Sequence, residues 1–306
     1  MSRNPRPQLR ARRRLAVVLA LAALALTLAA VLGKGAARRA RALGGGAHAA
    51  HHATAKPARS ARELPPGEGA NEALESSEIR HLISLGKPIY CAGPHGNEVA
   101  LTFDDGPGQY TRLADAKLGK HHIKATFFIV GRNIQLMPDA VRKERELGAV
   151  GDHTYTHPLL TSLSPAEAEA EIVRTQQAVE RSSGGPVFLF RPPYGALDAT
   201  VDGIARAHNL LPIMWTVDSR DSLGANYAQI ESTVIAGMRP GAIILMHENH
   251  GQTIRAMLSI FAALARKHLR AVSVPRLLSN DPPSDAQVRA GGSGCGSLYR
   301  PGPNGG

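Results

Sequence analysis

The sequence predicts an α/β fold in which a parallel sheet is covered by helices. From Glu98 onward, short apolar segments alternate with longer segments whose apolar residues recur at helical spacing. Repeated βα units of this length are typical of parallel sheets, because each crossover helix returns the chain to the same end of the sheet. Polar residues follow several of the predicted strands, and in such folds the functional site lies at the carboxyl ends of the strands.

Seven strands and six helices are predicted in alternation. The strands cover residues 99–103, 125–130, 149–153, 187–190, 212–217, 242–247 and 271–274. The helices cover residues 110–121, 136–147, 165–181, 199–207, 227–238 and 253–268. The pattern alone fits either a (β/α) barrel or a doubly wound open sheet.

The positive charge of the chain is confined to its first part. The net charge is +11, yet 13 of the 36 lysines and arginines lie in residues 1–62, which hold no acidic residue. The other 23 are balanced by 25 acidic residues. A domain so close to neutral has no electrostatic footprint for nucleic acid, so no nucleic-acid partner is expected.

The N-terminal residues predict export. A basic segment, 1–14, precedes an uncharged segment, 15–32, which as a helix would span about 27 Å of a ~30 Å hydrocarbon core. This pattern favours a signal anchor with the basic segment in the cytoplasm and the domain outside. A cleaved signal peptide and a secreted protein are the alternative. Residues 33–75, rich in Ala, Gly, His and Arg, predict a flexible linker.

Two adjacent carboxylates and two histidines predict a metal-dependent active site. Asp104 and Asp105 follow an apolar strand and precede a Gly-Pro turn. Because side chains alternate along a strand, one carboxylate is expected to bind a metal and the other to accept a proton. His153 and His157 share one face if their turn is helical. Two imidazoles and one carboxylate suit a catalytic zinc or a similar divalent ion.

Five segments resemble the motifs of one enzyme family. The sequences TFDDGP at 102–107 and HTYTH at 153–157 resemble the first two motifs of the polysaccharide deacetylases of the NodB-homology type, carbohydrate esterase family four. RPPYG at 191–195, WTVDSRD at 215–221 and LMH at 245–247 resemble the other three. The resemblance covers about residues 98–275. It implies a distorted (β/α)7 TIM-like barrel, which we place at 76–280, before a mobile Gly- and Pro-rich tail at 281–306.

The resemblance also implies a role for each motif residue. The expected metal ligands are Asp105, His153 and His157, with zinc as the first choice and cobalt, manganese or iron as alternatives. The expected catalytic groups are the base Asp104, its partner Arg191, the oxyanion donor Tyr194 N–H, the acid His247 and its partner Asp221. The expected substrate contacts are Trp215, Leu245 and Tyr194, the first two around the acetyl methyl group.

Besides a small departure at Asp152, where related sequences commonly have Asn, the sequence departs from the family pattern at two positions beside these residues. Ser222 stands where the family usually has Trp, and Glu248 stands where it often has Asp. Cys91 and Cys295 bracket the motifs. They are expected either to form a disulfide, as an exported protein allows, or to remain two unrelated thiols.

The expected reaction is the hydrolysis of a linear amide by a metal-dependent deacetylase. The resemblance implies removal of N-acetyl groups from amino sugars of a cell-envelope glycan, with peptidoglycan as first choice. Chitooligosaccharide N-deacetylation, acetylxylan-type O-deacetylation and an inactive glycan-binding envelope protein are alternatives. A retaining glycosidase is disfavoured, because neighbouring carboxylates on one strand do not flank a sugar and the histidines would have no role. The protein is expected to act as a monomer.

Overall fold

The structure, a computed structural model, describes residues 68–298, with side chains described from 77 to 296. The predicted basic segment 1–14, the segment 15–32 and most of the predicted linker lie outside the described residues. Within residues 68–298, no helix combines the length and the apolar character needed to cross a membrane.

Eight parallel strands form one sheet. They are β1 Glu98–Gly106, β2 Ala125–Ile129, β3 Gly148–Asp152, β4 Leu189–Phe190, β5 Leu211–Pro212, β6 Val217–Asp218, β7 Ile243–His247 and β8 Arg270–Val272. The order across the sheet is β5-β4-β3-β2-β1-β7-β6, and β8 pairs with the start of β1. The carboxyl ends of β1, β3 and β7 therefore meet at one edge, which we call the rim.

Nine α-helices accompany these strands in the described residues. They are α1 Glu68–Leu85, α2 Thr111–Lys120, α3 Ala140–Leu147, α4 Pro165–Ser183, α5 Ala199–Ala207, α6 Tyr227–Gly237, α7 Gly251–Arg266, α8 Val274–Asn280 and α9 Asp285–Ala290. The six predicted helices correspond to α2–α7. Helix α1 begins inside the predicted linker, so the folded part starts earlier than residue 76.

The central strand β1 separates two hydrophobic cores. Val99, Leu101 and Phe103 pack with α2–α7 on one face of the sheet. Ala100 lies on the opposite face, in a core that α1, α8 and α9 complete. Because side chains alternate along a strand, Asp104 lies on the same face as Ala100. The alternation of side chains in this strand thus places Asp104 at the rim, on the face of the sheet that carries Ala100.

The predicted strand 212–217 is wrong as a single strand. The chain leaves the sheet after Pro212 and returns at Val217, so β5 and β6 stand at opposite ends of the strand order. Between them, the carbonyl groups of Ile213 and Met214 accept hydrogen bonds from the buried Arg191 guanidinium, at 2.9 and 3.1 Å. The sheet therefore has eight strands instead of seven.

The predicted mobile tail is also wrong as far as residue 298. Helix α9 lies within it, and Val288 of this helix is buried in the core that also contains Ala100. A disulfide joins Cys91 to Cys295, with 6.0 Å between the Cα atoms. Few apolar residues mark this segment in the sequence. The disulfide, the burial of Val288 and hydrogen bonds from Gly93 and His95 to Asp281 join it to the domain.

Candidate active site

A bulge at the end of β1 brings both adjacent carboxylates to the rim. The pairing of β1 with β2 shifts register between Asp104 and Gly106, and Asp105 has a left-handed φ of 72°. Such a bulge re-aims a side chain. Asp104 Oδ2 and Asp105 Oδ1 consequently both lie 3.6 Å from His153 Nε2. Strict alternation, which would have sent Asp105 to the other face, fails here.

The two histidines meet without a helix. His153 follows β3, and Thr154 and His157 have left-handed φ values of 65° and 63°. The Thr154 N–H donates to Asp152 Oδ1 at 2.8 Å, which holds the chain in this turn. The imidazole rings still lie 4.8 Å apart, centroid to centroid. The helical spacing that suggested a shared face is therefore not the reason why they meet.

Asp105, His153 and His157 form a set of donors that fits a divalent ion. Asp105 Oδ1 lies 3.4 Å from His157 Nε2 and 3.6 Å from His153 Nε2, and the three donor atoms lie within 4.8 Å of one another. Ligands placed 2.0–2.2 Å from a tetrahedral zinc ion are about 3.4 Å apart. The spacing thus matches the chemistry of two imidazoles and one carboxylate.

His153 has the tautomer and the neutral charge that a metal-binding imidazole needs. Its Nδ1 lies 2.7 Å from the Arg191 carbonyl oxygen, so Nδ1 carries the hydrogen and Nε2 keeps its lone pair for the site. Burial lowers the pKa of His153 to about 3, so the ring is neutral at physiological pH. Neutral imidazole is the form that binds metals.

Asp104 is held by a buried arginine. Arg191 Nη1 donates to Asp104 Oδ1 at 2.8 Å and to Thr102 Oγ1 at 2.7 Å. The guanidinium is fully buried and stacks on Phe128, with 4.1 Å between its carbon and the ring centroid. Burial raises the pKa of Asp104, while the charge of Arg191 acts in the opposite direction. The result is an oriented carboxylate that is more basic than an exposed one.

Asp221 and His247 form a second oriented pair on the rim. Asp221 Oδ1 lies 2.7 Å from His247 Nδ1, and Asp221 Oδ2 accepts from the His247 N–H at 2.7 Å and from Thr253 Oγ1 at 2.5 Å. Burial alone would lower the pKa of His247, but the hydrogen bond and charge of Asp221 outweigh it and raise the pKa to about 9. The imidazole is therefore protonated at neutral pH and can donate a proton.

The turn after β4 places Tyr194 beside His157, one of the three clustered donors. Tyr194 has a left-handed φ of 62°, is 61% exposed, and meets the His157 ring edge-on at 4.9 Å. The hydrogen bonds that close this turn use the N–H groups of Gly195 and Ala196. A Cβ atom at Gly195 would lie 2.9 Å from the Trp215 ring, so glycine permits the half-buried Trp215 to approach.

Some side chains at the rim were not predicted from the motifs. Asn249 Nδ2 donates to Asp105 Oδ2 at 3.2 Å, and Asn133 Nδ2 donates to the Asp105 carbonyl oxygen at 2.9 Å. Thr253 supports Asp221, and Thr102 supports Arg191. The position of Asn249, two residues beyond His247, is the only sequence signal that could have drawn attention to it. Leu245 is buried two residues before His247.

Glu248 is fully buried beside two other acidic residues, Asp115 and Glu144. A Cβ atom at Gly106 would lie 1.3 Å from Glu248 Oε1, so only glycine fits above it. Burial and the nearby Asp115 charge raise the pKa of Glu248 to about 8, and burial raises the pKa of Asp115 to about 7. Burial also raises the pKa of Glu144 well above its ordinary value. Burial thus favours the protonated form of these carboxyl groups.

Replacing Glu248 by Gln should stabilise the protein at alkaline pH. The folded state holds its proton up to about pH 8, whereas an unfolded glutamate releases it near 4.5. The native state therefore binds more protons between these values, and stability falls as pH rises. We expect the thermal midpoint of Glu248→Gln at pH 8 to exceed that of the unmodified protein by about 2–4 °C for each kcal/mol of stabilisation, with little difference at pH 5. The same change at the exposed Glu146 should leave both midpoints unchanged; an equal effect at both pH values would refute the assignment.

The fold and the site together define a class of carbohydrate esterase, in which a parallel βα sheet carries an Asp-His-His set beside Asp-Arg and Asp-His pairs. Residues 92–213 match the family model described as polysaccharide deacetylase. The chain belongs to this family.

Similar proteins of known activity come from several bacteria. A peptidoglycan-N-acetylglucosamine deacetylase of Bacillus cereus is 34% identical over 193 residues, which cover 61% of this chain and 70% of that protein. A chitooligosaccharide deacetylase of Rhizobium leguminosarum is 32% identical, over 62% of this chain and 95% of that protein. Among solved structures, a family 4 carbohydrate esterase from Streptomyces lividans in complex with acetate superposes with a TM-score of 0.55 at 37% identity, over 59% of this chain and 92% of that one.

Proposed function

We propose that this protein is a metal-dependent deacetylase that removes N-acetyl groups from amino sugars of a cell-envelope glycan, with peptidoglycan as its substrate. The observation that carries the proposal is the Asp105, His153 and His157 set with the Arg191-held carboxylate of Asp104 directly beside it. The peptidoglycan and chitooligosaccharide deacetylases among its relatives support the reaction class.

The first half of the reaction uses Asp104 as the base. A divalent ion held by Asp105, His153 and His157 would polarise the acetamide carbonyl and lower the pKa of a water molecule. Asp104 accepts the proton of that water as it attacks the carbonyl carbon, and Arg191 keeps the carboxylate in position. The Tyr194 N–H donates to the developing oxyanion, an interaction worth roughly 3 kcal/mol for a single preorganised donor.

The second half uses His247 as the acid. The protonated imidazole, aligned by Asp221, donates its proton to the leaving amine as the carbon–nitrogen bond breaks. Acetate and a sugar with a free amine are the products. Trp215 and Leu245 form the apolar contacts for the acetyl methyl group in this proposal.

Asp221→Asn should move the alkaline limit of activity to lower pH. The reaction needs protonated His247, so kcat/KM falls as pH rises through its pKa, which lies at about 9 with Asp221 ionised. A cation held by Asp105 would offset the negative charge of Asp105, which is one of the charges that raise the pKa of His247. Removing the Asp221 charge leaves burial opposed only by the more weakly acting charges of Asp104 and Asp105, so the alkaline limb should shift by roughly two units, toward the ordinary value near 6.5. A pH–rate profile measures the shift; an unmoved alkaline limb would exclude His247 as the acid.

The disulfide supports a location outside the cytoplasm. Disulfides persist mainly in oxidising compartments, and Cys91–Cys295 ties the C-terminal segment to the domain. We propose that the domain acts outside the cytoplasm, either anchored through residues 15–32 or secreted after signal cleavage, as a monomer.

The alternatives use the same site with another acetylated sugar. Chitooligosaccharide is favoured next because of the Rhizobium leguminosarum relative, and acetylxylan would need the same attack on an ester. An inactive glycan-binding protein is disfavoured, because all three proposed ligands, the base and the acid are present and close together.

Acetate release decides among these substrates. Purified peptidoglycan, chitooligosaccharides and acetylxylan are incubated with the protein, with and without a chelator, and with zinc, cobalt, manganese or iron restored. We expect chelator-sensitive acetate release that is fastest on peptidoglycan. Release unaffected by complete removal of metal would contradict the mechanism, and faster release from another glycan would replace the substrate.

A further inference from the structure

We propose that Asn249 is a positioning residue that restricts Asp105 to a single coordinating oxygen and thereby sets the affinity of the metal site. This inference rests on the metal site of the proposed function and extends it to a residue outside the five motifs. Asn249 follows β7 and lies two residues beyond His247.

One carboxylate oxygen of Asp105 faces the two histidines, whereas its other carboxylate oxygen and its carbonyl oxygen accept hydrogen bonds from two asparagines. Oδ1 faces the imidazoles, at 3.4 Å from His157 Nε2 and 3.6 Å from His153 Nε2. Oδ2 accepts from Asn249 Nδ2 at 3.2 Å, and the carbonyl oxygen accepts from Asn133 Nδ2 at 2.9 Å. A carboxylate with one oxygen engaged by an amide donor presents the other oxygen alone.

The backbone of Asp105 makes this support necessary. Its φ of 72° is uncommon for a residue with a side chain and is unfavourable unless the surroundings impose it. Asn133 donates a hydrogen bond to the backbone of Asp105, and Asn249 donates one to its side chain. Partners of this kind orient ligating carboxylates, and their loss typically costs 10–100-fold in metal affinity.

The hydrogen bond from Asn249 to Asp105 can be removed by a substitution that keeps the shape of the side chain. Its Oδ1 is buried and has no hydrogen-bond partner among the side chains and backbone that the structure describes, so the Nδ2 contact with Asp105 is the one that leucine, of similar shape, would remove. Asn280 provides a matched control, because its Nδ2 donates at 2.8 Å to Glu98 Oε2 at the opposite end of β1.

The test measures zinc affinity in the metal-free protein by competition with a chromophoric chelator. For Asn249→Leu and Asn249→Ala we expect the dissociation constant to rise 10–100-fold, and Asn280→Ala should match the unmodified protein. The cobalt-substituted Asn249 variants should also lose visible absorbance, since a carboxylate free to bind through both oxygens raises the coordination number.

Each outcome separates the inference from the proposed function. Unchanged zinc affinity and an unchanged cobalt spectrum in Asn249→Leu would overturn the role of Asn249 while leaving the metal site intact. Failure of the unmodified protein to bind zinc would overturn the metal site itself. If Asn249→Ala does not fold, the zinc affinity and cobalt spectrum of the volume-conserving Asn249→Leu variant still test the role of Asn249.

Discussion

Asp104→Asn should retain its metal and lose deacetylation by about 10²–10⁴-fold in kcat. The amide oxygen can still accept the hydrogen bond from Arg191 Nη1, now made at 2.8 Å to Asp104 Oδ1, so the fold and the three metal ligands stay in place. The amide cannot accept the proton of the attacking water. Acetate release under saturating substrate, together with zinc content measured on the same sample, checks both halves of the expectation.

The control for this variant is Asp218→Asn. Asp218 ends β6, and its carboxylate accepts from the Arg220 N–H at 2.7 Å, a role that an amide oxygen can fill equally well. Activity within twofold of the unmodified protein is expected there. Near-normal turnover in Asp104→Asn would show that another group is the base.

Asp105→Ala should abolish metal binding and deacetylation together. The substitution removes the only oxygen ligand and leaves two imidazoles, one of them, His157, on a left-handed turn. We expect zinc affinity to fall by at least the 10–100-fold that loss of a mere supporting partner costs, and acetate release to fall to background. Titration of the metal-free variant with zinc, followed by the activity assay at each point, measures both.

His250→Ala is the matched control for Asp105→Ala. The His250 ring lies 5.8 Å from the His247 ring, so it is a nearby imidazole, but it is not one of the three clustered donors. Its loss should leave zinc affinity unchanged. Zinc binding by Asp105→Ala with the affinity of the unmodified protein would place the ion elsewhere.

The strands of the sheet could be predicted because burial leaves a strong pattern. Strand β1 is apolar, and its end at Asp104 and Asp105 is marked by the following Gly-Pro. The parallel order then brings the predicted strand ends to one rim, where Asp104, Asp105, His153, Arg191 and His247 are found together.

The details of the site depended on interactions that no local pattern records. The split between β5 and β6 depends on Arg191, which is distant in sequence and binds the carbonyl oxygens of Ile213 and Met214. The meeting of His153 with His157 depends on left-handed residues that the sequence does not mark with glycine. The contact of Asn249 with Asp105 joins residues on two different strand ends.

The structure shows what the residues that depart from the family pattern, Glu248 and Ser222, contact. Glu248 is fully buried against Gly106, at the start of the β1–α2 connection. The Ser222 N–H donates to Asp221 Oδ1 at 2.8 Å, a backbone contact with the partner of His247 that does not depend on the residue type. Neither substitution removes a proposed catalytic group.

The most direct test of the central claim is anomalous diffraction at the zinc absorption edge from crystals of the full chain grown with zinc. We predict one strong peak enclosed by Asp105 Oδ1, His153 Nε2 and His157 Nε2, at 2.0–2.2 Å from each. A zinc ion bound elsewhere, or no ion among these three atoms at saturating zinc, would contradict the proposed amide hydrolysis.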